Sequence, residues 1–259
     1  MPSLKKFLGQ NFLNNPRILE MESRLASIEG QDIIEIGAGD GRLSRAILQK
    51  NPKSLILIEK DARFAELLEI GFSGDSRVAV KCMDFLDFKG SCDNVFGNVP
   101  YYISSKILFH LAAIRFKTAV IMLQKEFVDK IFAQEGTKEF GRLSMMAGLY
   151  FGVTRAFTVG RGNFMPMPKH DSAVIVLTRR KIKTDPVRDE LINLLFQQKK
   201  KTIGNSVKLL LRHYEMESAY PQAAEKCLQK GIDFHQHFHK QTAAEILELA
   251  GILRKELKI

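Results

Sequence analysis

Over the first two thirds of the chain, short apolar runs alternate with stretches whose apolar residues recur at helical spacing. "DIIEIGA", "SLILIEK", "RVAVKCM", "DNVFGN" and "TAVIMLQ" read as strands, each a short run bounded by polar or turn-forming residues. "NNPRILEMESRLASI", "GRLSRAILQK", "DARFAELLEIG", "SSKILFHLAAI" and "KEFVDKIFAQ" read as helices, the first with an Asn cap and Pro16 in its first turn. Strands that are apolar throughout need cover on both faces, so the alternation predicts a doubly wound α/β domain around a mainly parallel sheet. Behind a further helix, "GRLSMMAGLYF", the runs "VTRAFTVG" and "SAVIVLTRRK" predict two antiparallel strands closing one edge. From about Asp185 only helical periodicity remains. A boundary near 182 to 186 then divides an α/β domain, 1–183, from a small all-helical C-terminal domain, 184–259.

Composition narrows location and partners. The N-terminal "MPSLKKFLGQNFL" lacks the apolar core of a secretory signal, and no window reaches the roughly 18 apolar residues of a membrane span. A cytoplasmic monomer is expected. Cys82, Cys92 and Cys227 form neither a CxxC pair nor an even disulfide framework, and are expected to be reduced, buried fillers. The formal charge of +10 favours a polyanionic partner such as nucleic acid, although many soluble proteins are simply basic. The densest cationic run is Lys199, Lys200 and Lys201, with Arg179 and Arg180 upstream across the boundary. Such residues either neutralise phosphates or form a solubilising face.

Candidate chemistry begins at "DIIEIGAGDGR", where Gly37, Gly39 and Gly41 lie between a strand and a helix and allow a ligand close to the backbone. Glu59 ends the next strand, 22 residues after Gly37, where a carboxylate can accept from ribose hydroxyls. The spacing is GxGxG rather than the GxGxxG of dinucleotide sites. Glu35 before the loop would repel a pyrophosphate and suits a cationic amino acid group. S-adenosyl-L-methionine, with a sulfonium, an amino acid end, a ribose and no phosphate, fits better than NAD. Asp84 follows the third strand, placed either to accept from the adenine amine of that cofactor or to cap a turn, and Phe85 to pack on its ring.

"FGNVPYYISS" follows another strand. The amine of an aromatic base is a poor nucleophile because its lone pair is delocalised into the ring. A catalyst must draw it toward tetrahedral geometry by accepting from both N–H groups. The Asn98 side-chain oxygen can accept one and the Val99 carbonyl the other, with Pro100 fixing the turn. Tyr101 can stack on the base and face the developing charge. No general base is needed, since the methylated ammonium is strongly acidic.

"NVPYYISS" resembles the "NLPY" motif of the KsgA-type ribosomal RNA small-subunit adenine N6-dimethyltransferases. "LGQNFL", "IEIGAGDGRLS", "LQKEFVDKI", "GTKEFGRLS", "FMPMPKHDSAV" and "FQQKKKTIGNSV" are similar to further blocks of that family, in the same order. The resemblance implies a class I, Rossmann-like S-adenosylmethionine methyltransferase fold. It implies dimethylation of two adjacent adenines in the 3′-terminal hairpin loop of small-subunit rRNA, within a pre-ribosomal small subunit. It also implies that Gln10, Asn11 and Leu13 cover the cofactor from the N-terminal segment, and that Phe164 stacks on the target adenine opposite Tyr101. By residue type alone Phe164 reads as a packing residue. Val99 stands where the family usually has Leu, Ala38 where Pro is common. In the tail, His235, His237 and His239 alternate, read as a solvated loop rather than a metal site. Two other readings share these motifs: a macrolide-resistance-type enzyme acting on the large subunit, and a ribosome assembly factor that no longer needs catalysis.

Overall fold

The computed structural model of the protein describes residues 11–258. The chain forms β1 (Phe12–Leu13), α1 (Pro16–Ser23), β2 (Asp32–Ile36), α2 (Arg42–Leu48), β3 (Ser54–Glu59), α3 (Ala62–Phe72) and β4 (Val78–Cys82). Next come β5 (Asn94–Asn98), α4 (Ser104–Leu111), β6 (Thr118–Gln124), α5 (Lys125–Ile131) and α6 (Arg142–Tyr150). They are followed by β7 (Phe151–Val159), β8 (Phe164–Met165) and β9 (Ser172–Arg179). Four helices complete the chain: α7 (Pro186–Gln197), α8 (Ile203–His213), α9 (Tyr220–Gln229) and α10 (Ala243–Leu257).

Seven strands form one sheet in the order β4-β3-β2-β5-β6-β9-β7. The five from β4 to β6 are parallel, and β9 and β7 close the edge antiparallel, as the hydrophobic pattern predicts. Ile33, Ile34, Ile36, Val95 and Phe96 are buried, since helices cover both faces of the central strands. Each such side chain contributes about 1.5–3 kcal/mol through burial. β2 lies between β3 and β5, so the chain reverses its direction of winding there. That reversal opens a crevice at the carboxyl ends of β2 and β5.

Local chemistry sets the ends of α1. The Asn15 side chain accepts from Arg17 N and Pro16 occupies the first turn. The apolar pattern continues to Ile28, yet the helix stops at Ser23, where Ser23 Oγ bonds back to Glu20 O at 2.8 Å. A separate two-stranded ribbon pairs β1 with β8, Leu13 opposite Phe164.

The chain divides into two compact units: residues up to Val128 with Tyr150–Lys181, and Asp129–Leu149 with Ile182 onward. The division is therefore not a single cut in the sequence. Residues 129–149 join the helical unit because Phe140 packs on Phe196 at 6.0 Å and Lys199 Nζ donates to Lys138 O and Phe140 O at 3.0 and 3.4 Å. In the same unit, Thr242 and Glu245 form a capping box at the start of α10. The histidine segment is anchored rather than loose. Phe238 is fully buried edge-on to Phe196, and Ile203 N and Phe238 N bond to Gln236 O and Lys201 O. His235 and His237 face outward, and no group of three or more His, Cys, Asp or Glu among the described residues is placed to hold a metal ion. Of the three free cysteines only Cys227 is buried; Cys82, at the end of the edge strand β4, is exposed, against the expectation of three buried fillers. Among the described residues no helix is long and apolar enough to cross a membrane.

Candidate active site

Four neighbouring strands deliver one acidic or amide side chain each to the crevice. Glu35 lies on β2, Glu59 ends β3, Asp84 follows β4 and Asn98 ends β5, and all four line a cavity of about 480 Å³. Glu59 ties its floor together: Oε2 accepts from Gly39 N at 2.9 Å and Oε1 from Asp61 N at 2.8 Å. Burial pushes its carboxyl up, against the pull of those two amides. Asp84 is a turn cap and also part of the cavity wall. Its Oδ1 caps the turn by accepting from Leu86 N, its Oδ2 pairs with Lys60 at 2.7 Å, and it still lines the cavity. Burial opposes ionisation there, but Lys60 and the Leu86 amide prevail and hold the carboxyl below its usual range.

The glycine loop needs its glycines for two reasons. Gly37 (φ +67°) and Gly39 (φ +55°) sit in the left-handed region, and a Cβ on Gly39 would lie 2.6 Å from the Phe12 ring. A Cβ on Gly37 would meet nothing, so the backbone leaves room for a ligand. Asn11, Phe12 and Leu13 form a wall, and Phe85, stacked on Phe88, forms another part. Gln10 lies outside the described residues.

The cations on this wall are already partnered. Arg42 pairs with Asp40, Lys60 with Asp84, and Arg63 with Asp61. Among the described residues of this wall a phosphate would find no uncommitted charge, whereas a ribose and a cationic amino acid end would meet carboxylates. The residues present thus fit S-adenosyl-L-methionine. Glu35 is buried more deeply than Glu59, and Glu22 of α1 is fully buried. Burial raises Glu35 to about 8, partly offset by Ser44 and reinforced by Glu59 and Asp40; burial likewise raises Glu22 of α1 to about 8, offset by Asn98 and reinforced by Glu35.

Next to the large cavity lies a small one of about 30 Å³, lined by Val99, Tyr101, Met122, Phe164 and Ser172. Asn11, Asn98 and Pro100 line both. Tyr101 is held by a 2.8 Å hydrogen bond between its hydroxyl and Ser172 Oγ. Phe164 is 8% exposed, packed as its residue type indicates, with its edge of the cavity fixed by the β1–β8 ribbon. Asn14 N and Asn15 Nδ2 reinforce that ribbon by donating to Asn163 O and Oδ1.

Arg179 and Arg180 lie apart from these cavities. β9 runs antiparallel to β6, and Thr178 pairs with Thr118, the first residue of β6. Arg179 and Arg180 therefore sit at the sheet end opposite Asn98, about 20 Å away at strand rise. Arg179 lies over the Tyr150 and Phe151 rings and burial lowers its pKa. Lys199 spends its amine on the carbonyls of the 138–140 loop; Lys200 and Lys201 are exposed. The sequence reading missed Phe12, Lys60, Tyr102 and Ser172, of which the first three line the large cavity.

A doubly wound sheet with a glycine turn after one strand, an acid ending the next and an Asn-x-Pro-Tyr turn at the switch point defines a class I methyltransferase. Within that class the chain belongs to the ribosomal RNA adenine dimethylase family, whose pattern matches residues 1–255. It is 30% identical, over 98% of this chain and 94% of the relative, to the ribosomal RNA small subunit methyltransferase A of Thermotoga neapolitana. The crystal structure of a dimethyladenosine transferase from Plasmodium falciparum is similar with a TM-score of 0.81 and 26% identity, covering 95% of this chain and 98% of that one. The 23S rRNA methyltransferase ErmE is similar with a TM-score of 0.63 and 25% identity, covering 93% and 99%.

Proposed function

We propose that this chain dimethylates N6 of two adjacent adenines in the 3′-terminal hairpin loop of small-subunit rRNA, using S-adenosyl-L-methionine, as a cytoplasmic monomer acting on a pre-ribosomal particle. One observation carries the reading: Asn98 stands in the wall common to a large, carboxylate-lined cavity and a small, aromatic-lined one. A donor bound in the first and a base entering the second would meet at its side chain. When bound, the cofactor supplies an electrophilic methyl group. The protein's part is to position and polarise the acceptor. Asn98 Oδ1 is buried and has no hydrogen-bond partner, so it is free to accept from the incoming amine. The Val99 carbonyl takes the second N–H, and Pro100 holds the pair in a fixed turn. Tyr101 and Phe164 cover the faces of the base, which has to leave its stack to arrive. The exposed Lys200 and Lys201 contact phosphates without reading sequence.

The test is transfer of labelled methyl to small subunits lacking this modification, with nucleotide mapping and large subunits as control. Dimethyladenosine at two adjacent 3′-loop positions is expected. Label confined to the large subunit would move the chain to the resistance-type reaction, for which ErmE is the structural comparison. Tight binding to small subunits without label would leave an assembly factor.

A further inference from the structure

A single side chain ties the glycine loop to the ribbon that carries Phe164. Arg42, the first residue of α2, pairs through Nε with the Asp40 carboxylate at 2.9 Å. Its Nη1 donates in the other direction, to Asn14 Oδ1 at 2.7 Å and to Leu13 O at 3.3 Å. A guanidinium can hold these partners at once because its donors are fixed in one planar fork. β1 is thereby bonded to the loop on one side while it pairs with β8 on the other. Past β1 the bonds continue. Asn14 N donates to Asn163 O at 2.7 Å, Asn15 Nδ2 to Asn163 Oδ1 at 2.8 Å, and Asn163 Nδ2 to Gly160 O at 2.9 Å.

β1 and β8 have two residues each, and a two-stranded ribbon of that length is marginal by itself. Leu13 and Phe164 are buried in the same apolar cluster, but apolar packing has no direction and does not decide which residue faces which. Register matters because successive residues alternate sides: Phe164 is 8% exposed and lines the small cavity, whereas Met165 is 66% exposed. A slip of one residue would exchange them. Directional bonds have to prevent it. On the reading of the small cavity as the acceptor site, we propose that Arg42 is a positioning residue for the acceptor base. By fixing Leu13 and Asn14 to the glycine loop, it sets the register in which β8 presents Phe164. Of the two cavities Arg42 lines only the larger, and Asn163 lines neither, so their effect on the acceptor side passes through the ribbon.

The test compares Arg42→Met, Asn14→Ala, Asn163→Ala and the double variant of Arg42→Met with Asn163→Ala. In Arg42→Met, kcat/KM for small subunits is expected to fall about tenfold, while the Kd for S-adenosyl-L-methionine changes by less than about threefold. A residue serving the donor cavity alone would give the reverse split, and that result overturns the proposal. If one ribbon transmits both effects, the double variant should lose no more than the worse single variant; losses that multiply overturn it. Asn14→Ala removes an acceptor of Arg42 at an exposed position, and decides should Arg42→Met not fold. A loss of about threefold on the acceptor side is expected there, and wild-type kinetics overturn the proposal. Hydrogen exchange of residues 160–168, followed by mass spectrometry without RNA or cofactor, needs no assigned reaction. It should quicken several-fold in Arg42→Met, although none of the bonds of Arg42 reaches that segment. Unchanged exchange overturns the proposal whatever the substrate. Wild-type protein that labels neither subunit, with this difference in exchange still present, overturns the proposed function and leaves the role of Arg42 in placing Phe164.

Discussion

The two cavities that meet at Asn98 are built in different ways. The larger is shaped by backbone: strand ends, left-handed glycines, and a Glu59 carboxylate bonded to Gly39 N and Asp61 N. It has its full volume of about 480 Å³ without any ligand. The smaller is shaped by side chains, Tyr101 leaning on Ser172 and Phe164 packed behind the β1–β8 ribbon, and its 30 Å³ cannot take a purine. On the proposed function, the difference means that the donor site is preorganised while the acceptor site would be completed on docking. An RNA base is extruded at a cost, and a pocket that opens only to it leaves the reactive methyl guarded meanwhile.

Asn98→Ala should show the largest effect, since it removes the unpartnered side-chain oxygen in the wall shared by both cavities. Loss of a preorganised acceptor costs about 10²–10³ in kcat. Binding of S-adenosyl-L-methionine, measured by calorimetry, should persist, because the glycine loop, Glu59 and Asp84 remain. Loss of binding equal to the loss of turnover would mean that the two cavities are not separable.

Gly39→Ala attacks the preorganised side alone. A left-handed alanine costs roughly 1–2 kcal/mol, and its Cβ at 2.6 Å displaces the Phe12 ring that walls the cavity. Cofactor affinity should fall about tenfold, with the kcat of saturated enzyme changing less. Gly74→Ala, at ordinary φ with open space around it, is the control. An unchanged Kd for Gly39→Ala would show that the donor cavity also adapts.

Preorganisation has a pH signature. Glu22 and Glu35 titrate near 8 when folded against 4.5 as free carboxyls, so between those values the native state holds protons that the unfolded chain has released. Stability is then lost as pH rises: their contribution is complete below about 4.5 and gone above about 8. Tm should be several degrees lower at pH 8 than at pH 5, and Glu35→Gln should reduce that difference. Equal Tm values at both pH would mean that the carboxyls find water or a partner when ionised.

Legibility in the sequence follows the same contrast. Gly37, Gly39, Glu59, Asp84 and Asn98 could be read because each lies at a strand end, and strand ends in a doubly wound sheet converge wherever the strands lie in the chain. The β1–β8 ribbon could not be read, since two-residue strands have no periodicity and their partners are separated by about 150 residues. Ser172 follows only from the register of β9 on β6, in which it pairs with Gln124 at the carboxyl end of that strand. Charge was a poorer guide. Arg179 and Arg180 are cationic in either strand direction, and the antiparallel course of β9 carries them away from the site. Lys199 looks identical to its neighbours until its amine is seen on two carbonyls. Glu22 was passed over inside a helical pattern, although a carboxyl on an apolar stripe is itself a break in local consistency.

Ser172→Ala tests the acceptor side most gently. The Tyr101 ring is placed by its position after Pro100, and the hydroxyl contact adds a single neutral hydrogen bond, worth about 0.5–1.5 kcal/mol. Burial already keeps the phenol protonated, raising its pKa, so removing the serine should not change its charge near neutrality. The expected result is a loss of about threefold in kcat with cofactor affinity unchanged, set against the larger loss of Tyr101→Ala, which removes the stacking face as well. Equal losses in the two variants would mean that the serine, rather than the ring, forms the acceptor wall. The small cavity would then be as preformed as the large one, and the contrast between them would be one of size alone.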